Sequence, residues 1–89
     1  IAYKTDGNSI TIRYEDAAQQ VLYLRGPVNS AASFSLTHSG LTENDISYPL
    51  AAGSGTLADG GQRLNMEYTF GYAHHWYEDA EYVSTGVGW

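Results

Sequence analysis

From Arg63 to Tyr72 the chain alternates without a break, with Leu64, Met66, Tyr68, Phe70 and Tyr72 at every second position and polar residues or glycine between them. A period of two collects these side chains on one face of a strand, whereas a helix would scatter them around its circumference. No stretch carries a sustained helical period. The chain is therefore read as all-β, with Arg63–Tyr72 anchoring the core.

The remaining strands are read from shorter signals. Ser9–Tyr14 alternates through Ile10, Ile12 and Tyr14 after the turn residues Asp6-Gly7-Asn8. Glu15–Gln20 reads as a connection, and Gln20–Arg25 as a central strand stopped by Gly26-Pro27. Ala32–His38 sends Phe34 and Leu36 inward and its serines outward, up to Ser39-Gly40. Ile46–Leu50 reads as a short strand limited to an edge or an end by Pro49, which lacks an N–H for a ladder. Ala51–Gly61, with four glycines, reads as a loop, Ala73–Asp79 as a connection, and Glu81–Thr85 as a returning strand. Short, evenly spaced strands with no repeat and no linker predict one domain over residues 1–89, a single antiparallel β-sandwich.

A chain of 89 residues builds one modest core, and without cysteine it rests on packing and hydrogen bonds. Ten acidic residues against four basic ones give a formal charge of −6, which repels phosphate backbones and anionic headgroups, so neither nucleic acid nor membrane is an expected partner. The chain opens on Ile1 rather than Met, as expected of a chain whose leader was removed or, the favoured reading, of a domain cut from a longer polypeptide.

Eight tyrosines and two tryptophans stand against two phenylalanines, an aromatic stock suited to wet surfaces. The densest cluster is Tyr72-Ala73-His74-His75-Trp76-Tyr77-Glu78-Asp79. A pyranose offers a face of C–H groups and a rim of hydroxyls, so its site needs a flat ring edged by donors and acceptors. Trp76 and Tyr77, with Trp89, Tyr23 and Tyr82, are the candidate platforms. His75, Gln20, Arg25 and Glu78 are the candidate hydroxyl partners. Tyr14, Tyr68 and Tyr72 follow the core-facing period and are read as structural.

The succession Gln19-Gln20-Val21, Phe34-Ser35-Leu36-Thr37, Ser39-Gly40-Leu41 and Asn65-Met66-Glu67-Tyr68-Thr69-Phe70-Gly71-Tyr72 resembles the small β-sandwich carbohydrate-binding modules appended to β-glucanases, carbohydrate-binding module families 81 and 56. The resemblance implies a non-catalytic module that binds cellulose-type or mixed-linkage β-glucan. It also implies an extracellular setting and tethering to a glycoside hydrolase domain.

Other chemistries are less well supplied. His74-His75 lacks a third ligand at fixed spacing, so no metal or cofactor is assigned; a structural calcium would draw on Glu15-Asp16 or Glu78-Asp79. Glycoside hydrolysis needs two carboxylates across a cleft, and a domain this small has little chain to build one from, so no enzymatic activity is expected. The rival reading is a protein-interaction or spacer module of a multidomain extracellular protein, using the same exposed aromatics.

Overall fold

The computed structural model describes residues 1–70 and 74–81, with the backbone alone for Phe70, His74, His75, Trp76 and Glu81. Nine strands run through the described residues. They are β1 (Ala2–Asp6), β2 (Ser9–Glu15), β3 (Val21–Ser30), β4 (Ser33–Ser35), β5 (His38–Gly40), β6 (Tyr48–Pro49), β7 (Ala52–Ala58), β8 (Arg63–Phe70) and β9 (His74–Glu81), with one helical turn at Asp59–Gly61. Every pairing is antiparallel.

The strands form one continuous curled sheet, a half-barrel in the order β1-β2-β3-β4-β7-β8-β9, with β5 and β6 branching from β3. This departs from the two face-to-face sheets expected of a sandwich. The cause lies in β3, which does not stop at Gly26-Pro27. Its first part pairs with β2 up to Ser9↔Pro27, and its last part pairs with β4 from Val28↔Phe34, with a register shift between Val28 and Ser30. Pro27 thus sits where the strand exchanges one partner for the next, the place in a ladder where a missing N–H costs least. A Cβ on Gly26 would come within 2.9 Å of the Leu36 Cα, so only glycine lets the two halves approach at this corner.

The concave face holds the core. Ile10 and Ile12 from β2, Leu24 from β3, and Leu64 and Met66 from β8 are fully buried; Phe34 and Leu36 are nearly so, and Tyr3 and Tyr68 complete the cluster. The alternation read in Arg63–Tyr72 therefore marks the inner face of β8 as far as Tyr68. Tyr72 lies outside the described residues.

Several segments differ from the sequence reading: Ala2–Asp6 is a strand with no counterpart in it, and the strand over Ala32–His38 narrows to Ser33–Ser35. Ala52–Ala58 is a strand and not a loop, because Gly53 and Gly55 seat core side chains: a Cβ on Gly53 would lie 2.7 Å from Leu36 Cβ, and one on Gly55 would meet the Phe34 ring. His74–Glu81 is a full strand paired to β8 over its whole length, not a connection. His38–Gly40, read as the end of a strand, is a short strand of its own between β3 and β6. The edge assignment of Pro49 holds, in β6. The strand expected over Glu81–Thr85 falls largely outside the described residues.

Candidate functional site

The two halves of the convex face differ in what covers them. On the first half, register aligns Lys4, Thr11, Arg25 and His38 in one row and Ala2, Arg13, Tyr23 and Gly40 in the next. Residues 41–47 cross over this face. A Cβ on Gly40 would lie 2.7 Å from the Asp45 carbonyl carbon and 2.8 Å from Ile46 Cα, and the Glu43 carboxylate reaches the Lys4 ammonium on β1. Thr11 lies between those two anchors and is only 6% exposed, although it points away from the core. Tyr23 is half-buried here beside Arg13. The Tyr23 hydroxyl, and after it Glu15, hold the Arg13 guanidinium above its ordinary pKa, against desolvation.

The second half is bare among the described residues. Cross-strand register builds two polar rows, Ser35–Ser54–Glu67–Tyr77 and Ser33–Thr56–Asn65–Asp79. Strands lie ~4.8 Å apart and alternate residues ~6.8 Å apart, so this part of the convex face spaces its hydroxyl, amide and carboxylate groups on roughly the scale of a sugar ring. Tyr77 stands on it 60% exposed. Its hydroxyl accepts from the Asn65 amide on the neighbouring strand, which fixes the ring without covering its face. Beside it, Arg63 grips Asp79 through two bonds, Nε to Oδ1 at 3.3 Å and Nη2 to Oδ2 at 2.9 Å. A shallow hollow of about 250 Å3 opens between β7 and β8 along Ala52, Ser54, Glu67 and Thr69. Ring, donors and acceptors share one surface here.

Glu78 faces the other way. Neighbours in a strand alternate, so Tyr77 points outward while Glu78, half-buried, joins Tyr14 and Tyr68 at the concave side. Burial first, then the Tyr68 neighbours Tyr14 and Glu78, push the Tyr68 phenol up to about 12. Burial, then Glu78 and Asp16, likewise raise Tyr14. Each negative charge nearby opposes a phenolate. Glu78 and Asp79 therefore do not converge on a shared cation, and Asp16 Oδ1 is spent on the amides of Ala18 and Gln20 at 2.9 Å each. Among the described residues no three His, Asp or Glu side chains gather as a metal site.

Of the side chains expected at a sugar site, Tyr77 alone stands on the bare face among those described. Tyr23 and Arg25 share the covered half, Gln20 lies in the Asp16–Gln20 turn, and Glu78 lines the concave side. Trp76 and His75 pair by register with Tyr68 and Thr69; their side chains, and the whole of Tyr82 and Trp89, lie outside the described residues. Asn65, Glu67, Asp79, Arg63, Ser54 and Thr56 were not anticipated. The signal for four of them was present: the polar parity of Arg63–Thr69 and of Tyr77–Asp79 is the outer face whenever the apolar parity is the inner one. Ser54 and Thr56 were hidden by the glycines around them.

One apolar surface lies apart from these. Leu22, Leu41, Tyr48 and Pro49 line an open groove of about 410 Å3, with Leu41 71% and Tyr48 58% exposed. No protein-family model, curated protein or solved structure matches the chain.

Proposed function

We propose that this chain is a non-catalytic carbohydrate-binding module for β-glucan chains of the cellulose or mixed-linkage type, and that the bare strand face carrying Tyr77 is its binding surface. The observation that carries the reading is the 60% exposed Tyr77 ring, held by Asn65 on a face otherwise made of hydroxyl, amide and carboxylate groups. A glucose unit stacks its C–H face on the ring, and its equatorial hydroxyls meet Glu67, Asn65, Ser54 and the Arg63–Asp79 pair. Glu67 and Asp79 occupy neighbouring rows of one sheet face, not opposite sides of a cleft, which favours binding over hydrolysis. Such a module works outside the cell, tethered to a glycoside hydrolase, by raising the enzyme's effective concentration at its polysaccharide.

A face preformed by strands loses little entropy on binding, yet a single described platform limits affinity to the micromolar-to-millimolar range. Isothermal titration with cellopentaose and laminaripentaose tests the reading. Tyr77→Ala, folded by circular dichroism, is expected to weaken binding by about tenfold or more, since aromatic anchors are worth roughly 1–2 kcal/mol or above. Unchanged affinity removes Tyr77 from the site, and absence of binding to any glucan by the unaltered protein removes the reading.

The groove at Leu41 and Tyr48 favours a second reading, a protein-interaction module, because an exposed leucine and tyrosine around an open, mostly apolar groove suit a protein hot spot better than a hydroxylated ligand. Under that reading Leu41→Asp abolishes partner binding, and Tyr77→Ala has no effect.

A further inference from the structure

Tyr77 faces Glu67 directly across the ladder, yet its hydroxyl meets the amide of Asn65, the next outward position along β8. The ring therefore leans along the sheet toward the row that holds Asn65 and Asp79. On the other side of Glu67, toward Thr69, lies the hollow of about 250 Å3, lined by Ala52, Ser54, Glu67 and Thr69. One water in the liquid takes ~30 Å3, so the hollow has room for a substituent projecting from a ligand. A sugar stacked on the leaning ring has one edge toward Asn65 and Asp79 and the other toward Glu67 and the hollow.

The two edges differ in charge and in donors. At the Asn65 edge the amide is bonded to Tyr77 and the Arg63 guanidinium to Asp79, so donors and carboxylate satisfy one another. At the hollow the outward polar side chains are Ser54, Thr69 and the exposed Glu67, whose carboxylate only accepts and has about four acceptor sites. No Lys, Arg or His lines it among the described residues. A carboxylate and two hydroxyls next to an exposed aromatic ring suit a ligand group that donates and is positive. An ammonium brings three N–H donors, needs none in return, and is attracted by the ring as well. A neutral hydroxyl gains neither the charge nor the ring. The formal charge of −6 adds a long-range pull on cations.

We propose that the hollow beside Glu67 is an ammonium site, and that the glycan preferred on this face is a β-1,4 chain of 2-amino-2-deoxyglucose. Such a chain carries a cation where cellulose carries its C2 hydroxyl, and the sugar face that lies on Tyr77 is unchanged. Stacking of a β-1,4 chain on Tyr77 rests on the function proposed above; the ammonium site rests on Glu67 and the hollow.

The test is a 15N NMR titration of the unaltered protein, Glu67→Gln and Tyr77→Ala with the glucosamine pentamer, cellopentaose and pentalysine, in mildly acidic buffer that keeps the amines charged. The glucosamine pentamer is expected to bind roughly three- to fivefold more tightly than cellopentaose, the factor of one partly exposed charge pair. It should shift the amides of Ser54, Glu67 and Thr69. Glu67→Gln keeps the shape and removes the charge, so it should bring the two affinities together, as should added salt in the unaltered protein. Tyr77→Ala should weaken both sugars. Equal affinities in the unaltered protein, or a preference that survives in folded Glu67→Gln, overturn the ammonium site and leave the β-glucan reading standing. Pentalysine binding as tightly as the glucosamine pentamer at the same amides overturns the sugar assignment. A glucosamine pentamer bound through Glu67 while cellopentaose is silent keeps the ammonium site and removes the neutral-glucan reading.

Discussion

Phe34 and Gly55 face each other across β4 and β7, and the ring packs directly over the glycine. Phe34 is 1% exposed, and a Cβ on Gly55 would run into its Cζ, lie 2.7 Å from its Cε2 and 2.6 Å from the Asn65 carbonyl, against 3.4–4 Å for ordinary contact. Gly55→Ala therefore forces the ring or the strand to move by several tenths of an ångström or more. Overpacking of that size costs ~1–3 kcal/mol, and the backbone contact with Asn65 puts it in the upper part of that range. Phe34→Leu alone costs about 1–2 kcal/mol through lost contacts and residual cavity. In the double variant the shorter leucine vacates the space that the new methyl needs, so two of the three tight contacts disappear and only the Asn65 carbonyl remains. The double variant should accordingly fall short of the sum of the singles by about 1–2 kcal/mol. Urea unfolding followed by far-ultraviolet circular dichroism measures all three, with the slope checked for constancy. Additivity within ~0.5 kcal/mol would refute the claim that Gly55 is the seat of the Phe34 ring.

Two further outcomes are expected. Because the Tyr68 phenol is raised to about 12 from an ordinary value of 10, the native state holds a proton that the unfolded chain releases; this contribution is whole below pH 10 and is lost as pH climbs through 12. Urea midpoints should fall over that window by on the order of 1–2 kcal/mol of stability, and a flat profile would contradict the burial assigned to Tyr68. Gly40→Ala, whose methyl would press on the backbone of Asp45 and Ile46, should lift the 41–47 crossing, cost ~1–3 kcal/mol, and speed amide exchange at Asp45, which donates to the Thr42 carbonyl; unaltered exchange would mean that this crossing is not seated on Gly40.

The strands whose burial is periodic were legible in the sequence, and those whose reason is tertiary were not. Ile10, Ile12, Phe34, Leu36, Leu64, Met66 and Tyr68 announce their inner face by alternation alone, and Pro49 announces an edge. Ala52–Ala58 has weak strand propensity, and nothing local reveals that Gly53 and Gly55 are small because Leu36 and Phe34 occupy the space above them. His74–Glu81 lacks an apolar parity, since Glu78 and Ala80 stand at inner positions. Gly26-Pro27 reads as a strand terminus until one sees that β3 changes partners there. At the candidate site, the type of residue was legible for Tyr77, but its neighbours depended on β7 being a strand. The covering of Tyr23 could not be read either, because it arises from contacts distant in sequence, Lys4 with Glu43 and Gly40 with Asp45 and Ile46.

The central claim is a location as much as a ligand: β-glucan lies on the bare strand face around Tyr77. Mapping 1H–15N shift changes on adding cellopentaose or laminaripentaose tests it most directly. The account predicts changes concentrated at Ser54, Asn65, Glu67, Tyr77 and Asp79, saturating with one dissociation constant and lost in Tyr77→Ala. Changes confined to the Leu41–Tyr48 groove or to the concave side around Tyr14 and Glu78, or none with either glucan, would contradict it.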